Sequence, residues 1–315
     1  MIGYYVHHVG SGHLDRARVV AREISLPVVG LSSLPRPPDW PGDWVQLARD
    51  DPGDERDRMS ALSAWILRSG PSLVVAAASS EVAVLAKLHG VPVVSTVLPG
   101  RSEDEDHLLG YGVSTALVAA WPAAATAMLP GLPRRMAARV QHVGAISRFP
   151  VAAPRDERRA GPWRVTVLLG PGGDSQSATA LDQARATTPG WEWSVLGRDE
   201  GWSADPFAVL CDADVVVCRA GQASIADVAA ARRPAMVVPA AHRHEQWITA
   251  RTLEAGGWPV RVEAGFPRSD WASHLHAVRL MDGRGWAGWC DGRAAGRMAA
   301  VLIGEHNRKP VVASV

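Results

Sequence analysis

The residues able to do chemistry are concentrated in a few short stretches. One is Gly10-Ser11-Gly12-His13-Leu14-Asp15-Arg16-Ala17, directly after a strand-like N-terminus. Glycines permit close backbone approach to a ligand, and an imidazole can take a proton near neutral pH, as activation of a hydroxyl or of water requires. His13 is therefore the candidate general base, although a loop histidine can equally orient the backbone or touch a phosphate. His7 and His8 fall inside the strand and read as structural. A second glycine-rich turn, Gly170-Pro171-Gly172-Gly173-Asp174-Ser175, stands between a predicted strand and a predicted helix, so Gly172, Gly173 and Ser175 are candidates to lie under a bound group.

The longest signal runs over residues 214–250. Asp214-Val215-Val216-Val217-Cys218 has the pattern of a buried strand, followed by Arg219-Ala220-Gly221 and a helical run from Gln222. Gly221 is expected to let the chain turn tightly into that helix. The backbone N–H groups of Gln222, Ala223 and Ser224 then become the unpaired first-turn donors that make a helix start an anion site. Asp227, one turn further on, can point back and accept hydrogen bonds from ribose hydroxyls. Taken singly, Ser224 reads rather as a helix cap and Asp227 as a capping-box acid or dipole partner. A proline-flanked strand follows, then His244-Glu245-Gln246. In the first half, the loop carrying Asp104, Asp106 and His107 follows a strand at its carboxyl end and should border any cleft there; an acidic run is also ordinary solvated surface.

These stretches must be positioned by an α/β framework. Short β-branched runs alternate with helical stretches, which predicts parallel sheets covered by helices. Predicted strands are 2–9, 27–31, 72–77, 91–97, 116–119 and 140–143, then 164–169, 192–196, 214–218, 235–239 and 259–262. Residues 149–162, rich in proline and charge, oppose both helix and strand and read as a linker between domains 1–148 and 163–315. Each half opens with a strand and a glycine-rich turn, and each later repeats strand, loop, alanine-rich helix, proline, strand. Two Rossmann-like domains facing one another would set a cleft between the carboxyl ends of both sheets.

Composition narrows the classes. A chain of 315 residues that is 47% hydrophobic can fill two cores. Its formal net charge is +1 with basic residues dispersed, which argues against a nucleic-acid partner. The three cysteines lack zinc spacing and are too few for a disulfide scaffold, so a reducing compartment is expected. No export signal is visible and the longest apolar stretches, such as 115–122, fall far short of a membrane span, so the expected location is cytoplasmic. No amphipathic anchor is evident that would support peripheral membrane contact. The thirteen tryptophans are scattered and read as packing residues.

The 214–250 stretch resembles the C-terminal domain of family 28 glycosyltransferases, which include the bacterial MurG-type N-acetylglucosaminyltransferases. The resemblance implies a two-domain GT-B glycosyltransferase that holds a nucleotide-diphosphate sugar, by default a UDP-sugar, mainly on its C-terminal half. It implies that Asp227 holds the donor ribose and that Gln222, Ala223 and Ser224 meet the diphosphate through backbone N–H groups, beside Gly221 and Arg219. Glu245 and Gln246 would contact the sugar hydroxyls. The 170–177 loop resembles the one that lies under diphosphate and sugar in the same family. Gly10 to Ala17 resembles that family's N-terminal glycine-rich loop and also the loop of PseG-type nucleotide-sugar hydrolases. On this reading Gly12, Asp104, Asp106 and His107 lie on the acceptor side, the acceptor being a small molecule, a lipid-linked group or a glycan. Transfer with inversion, and without metal or cofactor, is the expected chemistry. A hydrolase, a 2-epimerase or a catalytically silent nucleotide-sugar-binding subunit would use the same architecture. Between Gly197 and Asp214 the chain is short where MurG-like proteins carry an extra strand and a base-binding loop; Trp202 there either stacks on a base or packs.

Other chemistries fit less well. A dinucleotide oxidoreductase needs glycine where Asp15 stands and an acid after the second strand, where residues 28–33 offer none. Asp104-Glu105-Asp106 and Asp212-Ala213-Asp214 have the spacing of metal-binding pairs in GT-A transferases, but Asp212 and Asp214 precede their strand, at the wrong end of a sheet for ligand. His242 and His244 lack companion ligands.

Overall fold

Runs such as Leu73-Val74-Val75-Ala76-Ala77, buried at every position, have no solvent face and so must be strands covered on both sides. The computed structural model describes residues 1–8, 11–48, 54–101, 104–155, 161–169, 175–197 and 203–308, with backbone only for 11 and 175–177. The first sheet comprises β1 (Ile2–Tyr5), β2 (Val28–Ser32), β3 (Asp43–Gln46), β4 (Leu73–Ala77), β5 (Val93–Thr96), β6 (Ala116–Ala119) and β7 (Val140–His142), in the order β3-β2-β1-β4-β5-β6-β7. The second comprises β8 (Trp163–Leu168), β9 (Trp191–Leu196), β10 (Val215–Cys218), β11 (Ala235–Val237) and β12 (Val260–Val262), in the order β12-β11-β10-β8-β9. Every pairing is parallel; Ile2, for example, lies opposite Val28 on one side and Leu73 on the other. These are the two common orders of doubly wound sheets.

Helices α1 (Ser11–Glu23), α2 (Glu55–Ser69), α3 (Ser80–Leu88), α4 (Glu105–Val113) and α5 (Arg134–Ala137) accompany the first sheet in sequence. Helices α6 (Ser175–Thr187), α7 (Pro206–Asp212), α8 (Gln222–Ala230), α9 (His244–Ala255), α10 (Trp271–Arg279) and α11 (Ala294–Asn307) follow.

Two features depart from the sequence reading. The edge strand β3 has only half-buried or exposed residues and follows a proline-rich segment, so it lacks the apolar run that marks its neighbours; Trp44 on it packs against Gly30 of β2. The boundary at 163–315 also fails for α11. Its Ala294, Met298, Ala299 and Leu302 are buried with Ile2, Tyr4, Val20 and Leu73, in the core of the first sheet. The chain therefore crosses between the halves twice. The two crossings are joined: Ala145 N–H donates to Trp289 C=O at 3.0 Å, and Arg297 Nε donates to Val143 C=O at 2.8 Å. A further buried cluster runs through both halves, combining Tyr111, Trp121 and Met128 with Leu168, Ile225 and Trp286.

Candidate functional site

Strand order reverses between β1 and β4 in the first sheet and between β8 and β10 in the second. Ligands of open α/β sheets bind outside the carboxyl ends at such points. Here the β1 end leads through His7 and His8 into α1, and the β4 end through Ala78 and Ser79 into α3. The β10 end leads through Arg219 and Gly221 into α8. The loop after β8, with Gly172 and Gly173, lies outside the described residues, as does Trp202; Ser175 opens α6 in its backbone.

No side chain caps α8, and Gln222, Ala223 and Ser224 are half-buried. Ser224 is therefore not the cap, and the first-turn N–H groups lack intrahelical acceptors. The expected role of Gly221 is corrected. Its φ of −70° and ψ of 140° are ordinary extended values, and an added Cβ would meet only Ser224 Oγ at 3.8 Å, so the turn does not depend on glycine. Glycine matters instead across the gap, at Gly12: a Cβ there would come within 2.8 Å of the Ala223 Cβ. The start of α1 is thus pressed onto the start of α8. One helical turn past Gly12, buried Arg16 donates from Nη2 to Gln222 Oε1 at 2.7 Å, while Gln222 Nε2 is buried with no partner.

Asp227 is only 4% exposed. Ser147 Oγ donates to its Oδ1 at 2.8 Å, and Arg148 Nε lies 3.1 Å from Oδ2. Arg148 also reaches Asp15 Oδ2 at 3.2 Å. Loss of hydration pushes the Asp227 carboxyl up to about 6, against the opposing pull of Arg148 and Ser147. The carboxylate faces the crossing segment rather than open solvent, so a ribose would have to take the place of Ser147 or Arg148.

His13 is half-buried, its ring 5.7 Å from that of His7, which stacks on His8 at 5.1 Å. Loss of hydration, then the charges of Arg16 and His7, hold its imidazole down to about 3. It is neutral across the working range, and a weak base until an anion nearby raises its proton affinity.

The remaining candidates are placed as follows. Arg219 Nη1 donates to Val238 C=O at 3.1 Å, with its guanidinium over the Phe266 ring. Gln246 Oε1 accepts from Ala240 N–H at 2.9 Å, closing the turn before α9, and Glu245 lies 3.9 Å from Arg243. Asp104 caps α4 and contacts Arg101 and His107 at 3.1 and 3.3 Å, while Asp106 is exposed. Asp212 pairs with Arg164, and Asp214 with Arg155 at 2.8 Å, at the amino end of β10. Among the described residues no group of three or more His, Cys, Asp or Glu side chains is placed to hold a metal ion, and no helix is long and apolar enough to cross a membrane.

Sequence reasoning missed Arg16, Ser147 and Arg148, although Arg16 follows His13 by one turn on the same helix face. It also missed Ala78, a non-glycine residue at φ +62°. Arg232 and Asp270 share this conformation at φ 56° and 58°, so it does not by itself mark the site. A second seam joins the halves at Gly100, whose φ is +70° and whose added Cβ would come within 2.9 Å of the His244 ring. Gly100→Ala should cost about 1–3 kcal/mol by urea unfolding; wild-type stability would show that the 98–101 loop shifts without resistance.

Residues 207–257 match the glycosyltransferase family 28 C-terminal domain. A curated protein of Serratia proteamaculans, the UDP-N-acetylglucosamine--N-acetylmuramyl-(pentapeptide) pyrophosphoryl-undecaprenol N-acetylglucosamine transferase, is 32% identical over 141 residues, covering 36% of this chain and 39% of that protein. Its counterpart from Yersinia enterocolitica is 33% identical over 142 residues, with the same coverage. The chain therefore spans about two fifths of the length of these curated relatives. The solved structure of Acinetobacter baumannii MurG superposes with a TM-score of 0.65 at 14% identity, over 96% of this chain and 99% of that one. A Staphylococcus aureus structure described as an MnaA-UDP co-structure gives 0.68 at 10% identity, over 98% of both chains. At these identities the superpositions establish a shared two-domain fold, the GT-B arrangement.

Proposed function

We propose, from the match of residues 207–257 to the glycosyltransferase family 28 C-terminal domain within a GT-B fold, that the protein transfers a sugar from a nucleotide-diphosphate sugar to an acceptor hydroxyl. The observation that carries the reading is the uncapped start of α8, met across the gap by the buried cation Arg16. Helix N–H groups and a buried guanidinium together make a site for a diphosphate.

In this reading the diphosphate lies at Gln222, Ala223 and Ser224. The ribose displaces Ser147 or Arg148 from Asp227, and the sugar faces Glu245 and Gln246. His13 accepts the acceptor's proton as the hydroxyl oxygen bonds to the anomeric carbon. The bond from that carbon to the diphosphate oxygen breaks on the opposite face, giving inversion. Negative charge gathering on the leaving diphosphate is met by the α8 N–H groups and Arg16, so no metal is required. UDP-sugars are the first donors to try, and the curated relatives, named for transfer to a pyrophosphoryl-undecaprenol, put a lipid-linked acceptor first among candidates. The three cysteines, all without a disulfide, fit action in the cytoplasm, with peripheral membrane contact if the acceptor is lipid-linked.

Thermal melting with a panel of UDP-, dTDP- and GDP-sugars tests the reading. A donor at a hundred times its Kd should stabilise the protein by about 2.7 kcal/mol, and nucleotide release should then require an acceptor. A panel that leaves the melting point unmoved overturns the proposal. Nucleotide release with water alone would make the protein a hydrolase.

A further inference from the structure

The Asp227 carboxylate is already engaged from within the chain. Ser147 Oγ donates to its Oδ1 at 2.8 Å, and Arg148 Nε donates to its Oδ2 at 3.1 Å. One donor on each carboxylate oxygen is also what the two neighbouring hydroxyls of a ribose would offer. With Asp227 only 4% exposed, a ribose gains this carboxylate by removing the donors that hold it.

Both donors are fixed by further contacts. Ser147 Oγ accepts from Phe149 N–H at 3.0 Å. The Arg148 guanidinium lies over the Phe149 ring, 4.7 Å from its centroid, and its Nη1 is 3.2 Å from Asp15 Oδ2. Asp15 is itself steadied by Arg18 at 3.4 Å. The contact therefore joins three elements: Asp15 on α1, Ser147 and Arg148 on the first crossing, and Asp227 on α8.

Arg148 is exposed, and an ion pair open to water holds weakly on its own. Asp15 anchors the guanidinium from the outer side, so that Nε stays on Asp227. A buried carboxylate stripped of donors carries the full cost of its lost hydration. In the empty cleft the crossing segment supplies those donors; with a nucleotide bound the ribose supplies them, and the two cannot do so together.

Resting on the ribose role given to Asp227 above, we propose that Ser147 and Arg148 form an autoinhibitory stand-in for the donor ribose, anchored by Asp15, which a nucleotide must displace before Asp227 can hold it. Apparent affinity is then reduced by the fraction of molecules in which Asp227 is uncovered. Loosening the segment raises affinity for a nucleotide without adding any contact to it, the opposite of what removing a binding residue does.

The test is calorimetric titration of UDP, GDP and inorganic pyrophosphate into the wild type, Ser147→Ala, Asp15→Asn, Asp227→Asn and the double variant Ser147→Ala/Asp227→Asn, each checked by thermal melting. Ser147→Ala should bind UDP or GDP roughly tenfold more tightly, the low end of what one hydrogen bond to a charged group contributes. It should bind pyrophosphate, which has no ribose, as the wild type does. Asp15→Asn also removes a negative charge near the diphosphate, so its gain for the nucleotide should exceed its gain for pyrophosphate. In the Asp227→Asn background the gain from Ser147→Ala should vanish, because the two residues act as one unit. Asp15 is half-buried on another element, so its variant keeps the test valid should Ser147→Ala fail to fold. Nucleotide binding by the variants with none by the wild type would support the stand-in in its strongest form. Unchanged or weaker nucleotide binding by a folded Ser147→Ala or Asp15→Asn, or a gain equal for pyrophosphate, would overturn it and leave the transferase reading standing. No binding of either nucleotide by any of these proteins would overturn both.

Discussion

Asp227→Asn should melt at a higher temperature than the wild type at neutral pH and yet bind donor roughly tenfold to a hundredfold more weakly. The stability gain follows from the folded carboxyl standing at about 6, against an ordinary 3.8. The folded state then binds more protons than the unfolded one between these values. The favourable contribution of the protonated acid is complete below about 4 and is lost as pH rises through about 6. A shift of roughly two units corresponds to about 3 kcal/mol of destabilisation at neutral pH. Asparagine keeps the shape and removes that cost, so the gap between variant and wild type should open from about pH 4 to 7 and stay level above. On the proposed ribose role of Asp227, donor affinity should fall because a carboxylate accepting from ribose hydroxyls contributes about 1.5–3 kcal/mol. Unfolding across this pH range and donor calorimetry check both halves. A more stable variant with wild-type donor affinity would remove the ribose role, whereas a less stable one at neutral pH would mean that the pair with Arg148 outweighs the cost of burial.

His13→Ala should lower turnover about 10²- to 10⁴-fold, the usual contribution of a positioned general base, while donor affinity changes only a few-fold. Because the imidazole is held to about 3 before ligand arrives, kcat/KM should show no acid limb near the ordinary histidine value; a limb near 6 would belong to Asp227. The stability effect has the opposite sign to that of Asp227. The folded value lies below the unfolded 6.5, so the contribution is complete above about 6.5 and is lost as pH falls toward 3. His13→Ala should therefore resist mild acid better than the wild type. Near-normal turnover by a folded variant would exclude His13 as the base.

How much of this was legible in the sequence depends on how locally each feature is encoded. Val215-Val216-Val217-Cys218 could be read as a buried strand because every position is apolar, and the start of α8 at Gln222 fell where the pattern placed it. The edge strand β3 could not, because its pairing with β2 supplies what its own side chains lack. The reading of Gly221 failed because a glycine before a helix suggests a special turn, and only backbone angles show that none is made. Arg16 and Gln222 are 206 positions apart, and nothing local in either segment announces the other. The same holds for Ser147 and Asp227, 80 positions apart. The return of α11 to the first sheet was hidden for a related reason: an amphipathic helix shows that it has an apolar face, not which surface that face covers.

The paired crossings at Val143–Arg297 and Ala145–Trp289 set the geometry of access to the cleft. A single tether would let one half swivel in any direction about the other. Two backbones bonded side by side resist twisting and sliding, and leave rotation about one line as the soft motion. For the halves to open, both the abutting ends of α1 and α8 and the Gly100–His244 seam must part.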